Sequence, residues 1–135
     1  MKRIASDLRS STEEEWKSEG ERQIGRLLNR CGIRYRYEYP LAVIDRGKLR
    51  IWYADFWLPE YGVFLEYVGM KGCSTYDALL EHKRRVYAEL GLPVLYLGPE
   101  AFRGWWPPRV LESIETLLAQ GLDSFRERAD AGRRP

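Results

Sequence analysis

Two acids interrupt runs that are otherwise apolar: Asp55 within residues 51–58 (IWYADFWL) and Glu66 within residues 63–68 (VFLEYV). If the intervening PEYG is a four-residue turn, Leu58 pairs with Val63 and the register sets Asp55 directly opposite Glu66. Directly opposed residues share a face of the sheet, with Cβ atoms roughly 5 Å apart. Two carboxylates so placed repel each other and lose hydration. A divalent cation between them, a shared proton, or an arginine partner such as Arg34 or Arg50 would each relieve that. An oxygen-only ligand set suits magnesium, which binds through one or two carboxylates and keeps several waters.

Lys83 is the third residue that needs explaining. It lies seven residues after Tyr76 and four before Tyr87, on the apolar stripe of a predicted helix where leucine would be expected. Its stem could cross the edge of the core with the ammonium in water. Beside a pair of acids, an inward ammonium could instead hold an attacking water and offset charge developing on a phosphate. Glu21 is the fourth. It shares a helix face with Ile24 and Leu28 and could point toward the sheet, yet it also stands three residues after Ser18, where a capping box would claim its side chain.

The elements that must position these groups follow from periodicity. Ser18 opens a helix whose apolar residues Ile24, Leu27, Leu28 and Cys31 recur at helical spacing until Gly32. A start at Ser11 or Thr12 is an equally good reading. Residues 33–43 and 49–58, rich in tyrosine and β-branched residues and separated by the turn DRGK, read as strands, and residues 63–68 as a third. These three form an antiparallel meander. Tyr76, Leu79, Leu80, Tyr87 and Leu90 mark a second helix ended by Gly91, and residues 93–97 a short buried strand. Pro107 and Pro108 start a third helix with Val110, Leu111, Ile114, Leu117 and Leu118 on its apolar face, and residues 121–135 read as a frayed polar tail. The expected fold class is α/β: residues 1–135 as a single domain, with a mixed sheet of about four strands flanked by helices.

Composition sets outer bounds. A chain of 135 residues has room for one core, which excludes a large multi-domain machine. There is no apolar run long enough to span a bilayer and no secretory signal at the start, so a cytoplasmic location without membrane contact is expected. Cys31 and Cys73, far apart and without CxxC spacing, predict two buried free thiols rather than a zinc or disulfide framework. A formal charge of +2 does not by itself announce a nucleic-acid partner.

Taken in order, a helical Glu21, then Asp55, a hairpin turn, Glu66, and a following helix with Lys83 resemble the PD-(D/E)XK nuclease superfamily. The branch most similar carries Asp-Phe-x-Leu-Pro-x-Tyr, Glu-Tyr-x-Gly and Tyr-x6-Lys-x3-Tyr. Those motifs stand here as Asp55 to Tyr61, Glu66 to Gly69, and Tyr76 with Lys83 and Tyr87. The resemblance covers roughly residues 18–97 and departs from the usual pattern at Val68, where the family's lysine normally stands. In several branches that lysine comes from the following helix, which is where Lys83 lies; Lys71, in the Gly-rich loop, is the competitor.

The resemblance implies a restriction-endonuclease-like fold and a magnesium-dependent deoxyribonuclease, with manganese as substitute ion. Asp55, Glu66 and the main-chain carbonyl of Tyr67 would bind the metal. Glu21 would reach it directly, through water, or beside a second ion, and Lys83 would activate the water. Candidate DNA contacts are Lys71, Arg84, Arg85 and Arg103; Trp105 and Trp106 could serve as wedges or stacking surfaces, although tryptophans before two prolines are more often core or interface residues and make no binding motif by themselves. His82, the only histidine, falls one step round the helix from Lys83 and reads as a surface residue or phosphate contact rather than a general base. Implied partners are DNA, a second copy of the chain as a homodimer, and helicases or other repair and recombination proteins. A structure-specific endonuclease of repair, recombination or phage DNA processing fits so small a domain, a Holliday-junction resolvase being one option. Two alternatives stay open: a catalytically silent module of the same fold that binds DNA or a partner protein, and an unrelated α/β domain with a structural acid pair.

Overall fold

The computed structural model describes residues 16–69 and 72–133. Helix α1 (Glu19–Arg30) leads into strands β1 (Arg36–Asp45), β2 (Lys48–Leu58) and β3 (Val63–Tyr67). Helix α2 (Ser74–Glu89), strand β4 (Val94–Leu97), a 3-10 turn over Pro99–Phe102 and helix α3 (Pro107–Arg133) follow. The sheet order is β1-β2-β3-β4, antiparallel through β3 and parallel between β3 and β4. This is the expected mixed four-stranded α/β architecture. None of the described helices is long and apolar enough to cross a membrane.

Helices cover both faces. Ile24, Leu27 and Leu28 of α1 and Val110 and Ile114 of α3 pack with Phe56, Leu58, Val63, Leu65 and Leu97 in the main core. A smaller cluster joins Val86 and Tyr87 of α2 to Val43, Leu41, Trp52, Val94 and Tyr96. On β4 the alternation is regular, Leu95 and Leu97 going to the main core and Val94 and Tyr96 to the α2 side.

On β1 it is not. Tyr37 belongs with the main core, whereas Leu41, also odd-numbered, belongs with the α2 cluster, and Tyr39 packs on Trp57 and Phe64. Between them Glu38 adopts a left-handed φ of 55°, uncommon for a residue with a side chain. The strand therefore changes face at Glu38, and the ladder to β2 is interrupted there, between the pairs Tyr37↔Phe56 and Tyr39↔Ala54. The residue facing that gap on β2 is Asp55. The hairpin itself closes on Arg46 and Gly47, both at positive φ (52° and 79°), the geometry of a primed two-residue turn.

Three expectations change. Strand β1 begins at Arg36 rather than at residue 33, because Ile33 and Tyr35 are already buried in the main core as the chain leaves α1. Helix α3 continues to Arg133 instead of fraying after Gln120; its alanines, arginines and glutamates favour helix even though residues 119–132 are exposed, Leu122 and Phe125 among them. Cys31 and Cys73 are exposed, not buried, because they flank the ends of α1 and α2.

Candidate active site

The turn at residues 59–62 sets Leu58↔Val63, Trp57↔Phe64 and Phe56↔Leu65 as partners. One step further the strands no longer pair through their backbones. The two carboxylates make the connection instead: the Asp55 N–H donates to Glu66 Oε2 at 2.8 Å, and the Tyr67 N–H donates to Asp55 Oδ2 at 2.7 Å. Each acid thus caps a main-chain donor of the opposite strand at the point where the ladder opens. Charged acceptors make such bonds stronger than the neutral ones they replace.

Glu66 is the one buried charged residue among those described, 4% exposed. Its second oxygen, Oε1, receives the Lys83 ammonium at 2.6 Å. The ammonium also lies 5.6 Å from the ring of Tyr87, which is fully buried one helical turn along α2. The lysine that breaks the apolar stripe of α2 therefore turns inward and meets the acid pair. Leu79, expected on the same stripe, is instead 64% exposed.

Burial, and after it the neighbouring Glu66 charge, push the Asp55 carboxyl up to about 7; the Tyr67 N–H and Lys83 act in the opposite direction but do not offset them. Among the described residues, Asp55 Oδ1 has no hydrogen-bond partner. The local charge is thus out of balance on the negative side.

Glu21 is close enough to raise Asp55 further through its charge, but its hydrogen bonds lie elsewhere. Its N–H donates to Ser18 Oγ at 3.1 Å, the first half of a capping box. The reciprocal half is altered: Glu21 Oε1 accepts from the Lys17 N–H at 3.4 Å and from the Tyr37 hydroxyl of β1. Burial and this carboxylate raise the Tyr37 phenol well above its ordinary range. The Lys17 ammonium pairs with Glu38 at 2.5 Å, tying the start of α1 to the switch point of β1.

Tyr67 is held against α1 by the absence of a side chain at Gly20, where a Cβ would lie 2.1 Å from the Tyr67 ring, and it packs on Phe102 at 6.0 Å. Neither Gly20, Tyr37, Lys17 nor Glu38 was marked by motif. The only sequence signal was their proximity to Glu21 and to the strand that pairs with Asp55.

The remaining candidates are dispersed. Lys71 lies outside the described residues. Arg84 stacks over Tyr96 at 4.0 Å and Arg85 is exposed. Arg103 is exposed and its carbonyl accepts from Arg109 at 2.5 Å. Trp105 is exposed, whereas Trp106 packs edge-on against Phe102 at 4.9 Å. His82 is not a free surface residue: its Nε2 contacts Asp45 Oδ1 at 2.7 Å and its ring lies edge-on to Trp52.

Among the described residues no three histidine, cysteine, aspartate or glutamate side chains form a metal cluster, so a structural zinc shell is not built here. Magnesium asks for less. Two carboxylates with spare lone pairs and a negative imbalance at Asp55 are donors whose chemistry fits it. No protein-family model, no curated protein and no solved structure matches the chain.

Proposed function

We propose that this chain is a magnesium-dependent DNA endonuclease of restriction-endonuclease-like fold, hydrolysing phosphodiester bonds at Asp55, Glu66 and Lys83. The observation that carries the reading is the meeting of a buried Glu66, a charge-strained Asp55 and an inward Lys83 at the opening of the β2–β3 ladder. A solely structural role would be served better by apolar side chains, since burying charge is costly and breaking even with a hydrophobic pair is the usual outcome.

Asp55, Glu66 and the Tyr67 carbonyl would hold the metal, which when bound supplies a nucleophilic water at neutral pH and neutralises phosphate charge. Lys83, 29% exposed at its side chain, orients the attacking water and stabilises the extra charge on the phosphate. Glu66 fixes that ammonium in place. The water oxygen forms the new bond to phosphorus as its proton passes to solvent, and the P–O3′ bond breaks, leaving a 3′-hydroxyl, protonated from solvent, and a 5′-phosphate. Glu21 acts at a distance, through its charge and by holding α1 to Tyr37. Arg84 and Arg85 on α2 supply phosphate contacts beside the site.

A second reading has one observation in its favour: both Glu66 oxygens are already satisfied within the chain. It takes the fold as a catalytically silent module that binds DNA or a partner protein. Cleavage of labelled linear, single-stranded, flapped and four-way-junction DNA in magnesium, manganese or EDTA separates the two. The nuclease reading expects metal-dependent cutting that is lost in Asp55→Ala and Lys83→Ala.

A further inference from the structure

Beyond the acid pair, Lys83 also borders an open cleft of about 930 Å³. β3 pairs with β2 only at residues 56–58, so along residues 48–54 β2 is bonded, among the described residues, to β1 alone. The cleft lies along this unpaired edge and is closed on its other side by α2 from Ser74 to Lys83. Its walls offer flat and apolar surface that the fold itself does not use: Tyr53 is 57% exposed, Ile51 54% and Leu79 64%. Trp52 lies beneath, its ring fixed by Tyr87 and His82. Arg46 and Lys83 line the cleft beside one acid, Asp45, which His82 contacts, and the Lys83 ammonium is itself paired with the buried Glu66.

We infer that this cleft takes an unpaired nucleotide of the DNA strand next to the phosphate held at Lys83, so that the substrate class is single-stranded or locally unpaired DNA. The inference rests on the nuclease reading for its placement, because Lys83 belongs to both the cleft and the acid pair. A base with no partner presents two π-faces, and exposed Tyr53 with Leu79 gives it a stacking surface without regard to sequence. The cations receive the flanking phosphates. A base held in a duplex has no free face to offer, so the same cleft discriminates against intact double helix. An extended peptide could pair with the β2 edge, but the continuity of the cleft with the hydrolytic site through Lys83, together with Arg46 on its wall, favours the strand being cut.

The test is binding without chemistry. Fluorescence anisotropy in EDTA compares a 15-nucleotide oligo(dT) with a 15-base-pair duplex, for wild type, Tyr53→Ala and Leu79→Glu. Both positions are largely exposed, so both variants are expected to fold, which circular dichroism checks. The expected result is tighter binding of the single strand by wild type, with Tyr53→Ala weakening that binding roughly 10-fold while duplex binding is unchanged. Leu79→Glu, which adds a negative charge, weakens it at least as much. Equal affinity for both DNAs, or single-strand affinity that survives both substitutions, overturns the inference, including the case in which the cleft serves a peptide. Failure of the nuclease reading is distinguishable: selective single-strand binding lost in Tyr53→Ala, from a protein that cuts nothing in magnesium, keeps the cleft and removes the hydrolysis.

Discussion

Replacing Asp55 by asparagine should stabilise the protein at neutral and alkaline pH while removing its activity. Asp55 is held up to about 7 by burial and by Glu66, against an ordinary value of 3.8. An acid whose folded-state pKa is raised binds its proton more tightly when folded, so stability is greatest at low pH and falls as pH rises from about 4 to about 7. Above that window the ionised form is carried in both states and the penalty is constant. The gap between 3.8 and about 7 corresponds to roughly 4 kcal/mol. Asparagine keeps an acceptor for the Tyr67 N–H but brings an amide that must find its own partner, which lowers the expected gain to about 2–3 kcal/mol at pH 8. At pH 5 only about 1–2 kcal/mol of that penalty has accrued, which the amide cost nearly cancels, so the advantage shrinks to close to zero. Urea unfolding of both proteins at pH 5, 6.5 and 8 reads the difference directly. Magnesium should raise the wild-type midpoint at pH 8 and leave that of Asp55→Asn nearly unmoved. An asparagine variant less stable than wild type at pH 8, or a gap that does not widen with pH, would refute the charge imbalance assigned to Asp55.

Other consequences are local. Lys83→Met removes the cation at 2.6 Å from a buried acid and should cost about 2–4 kcal/mol in urea unfolding, with Lys83→Met/Glu66→Gln recovering much of it; a neutral single variant would mean that the ion pair does not form. Gly20→Ala places a methyl where the Tyr67 ring now lies, so a loss of about 1–3 kcal/mol and weaker magnesium stabilisation are expected in thermal unfolding. A wild-type melting curve for that variant would show that Tyr67 does not pack on α1. Phe125→Glu, on the exposed end of α3, should change stability by less than about 0.5 kcal/mol. A larger drop, dependent on protein concentration, would place a second copy of the chain on that helix.

The register of the acid pair was legible because a four-residue turn fixes which residues face each other, and strands β2 and β3 are too apolar to slip without exposing Phe56 and Leu65. Lys83 was legible as a cation at an apolar position of a helix, which only an inward partner or an edge could explain. The face switch at Glu38 was not, since a left-handed φ at a residue with a side chain carries no mark in sequence; in the fold it stands beside the ties of Lys17 to Glu38 and Tyr37. Glu21 illustrates the same limit. Its spacing from Ser18 announced a cap, and the cap forms, but its carboxylate goes to a tyrosine hydroxyl on β1, sixteen residues away, that no local pattern connects to it. The sequence marks His82 only as a surface residue or phosphate contact, because its partner, Asp45, stands at the end of β1, far from α2 in the chain. The length of α3 escaped because its second half is polar, and intrinsic helix preference rather than burial sustains it.

The central claim is tested most directly by single-turnover cleavage of a labelled DNA panel at pH 8 with magnesium, comparing wild type, Asp55→Asn and Lys83→Ala. The account predicts cutting by wild type that EDTA abolishes, with both variants slower by about 100-fold or more although Asp55→Asn is the more stable protein. Folded wild type that binds magnesium yet leaves every DNA intact, or an Asp55→Asn variant that cuts as fast as wild type, would contradict it.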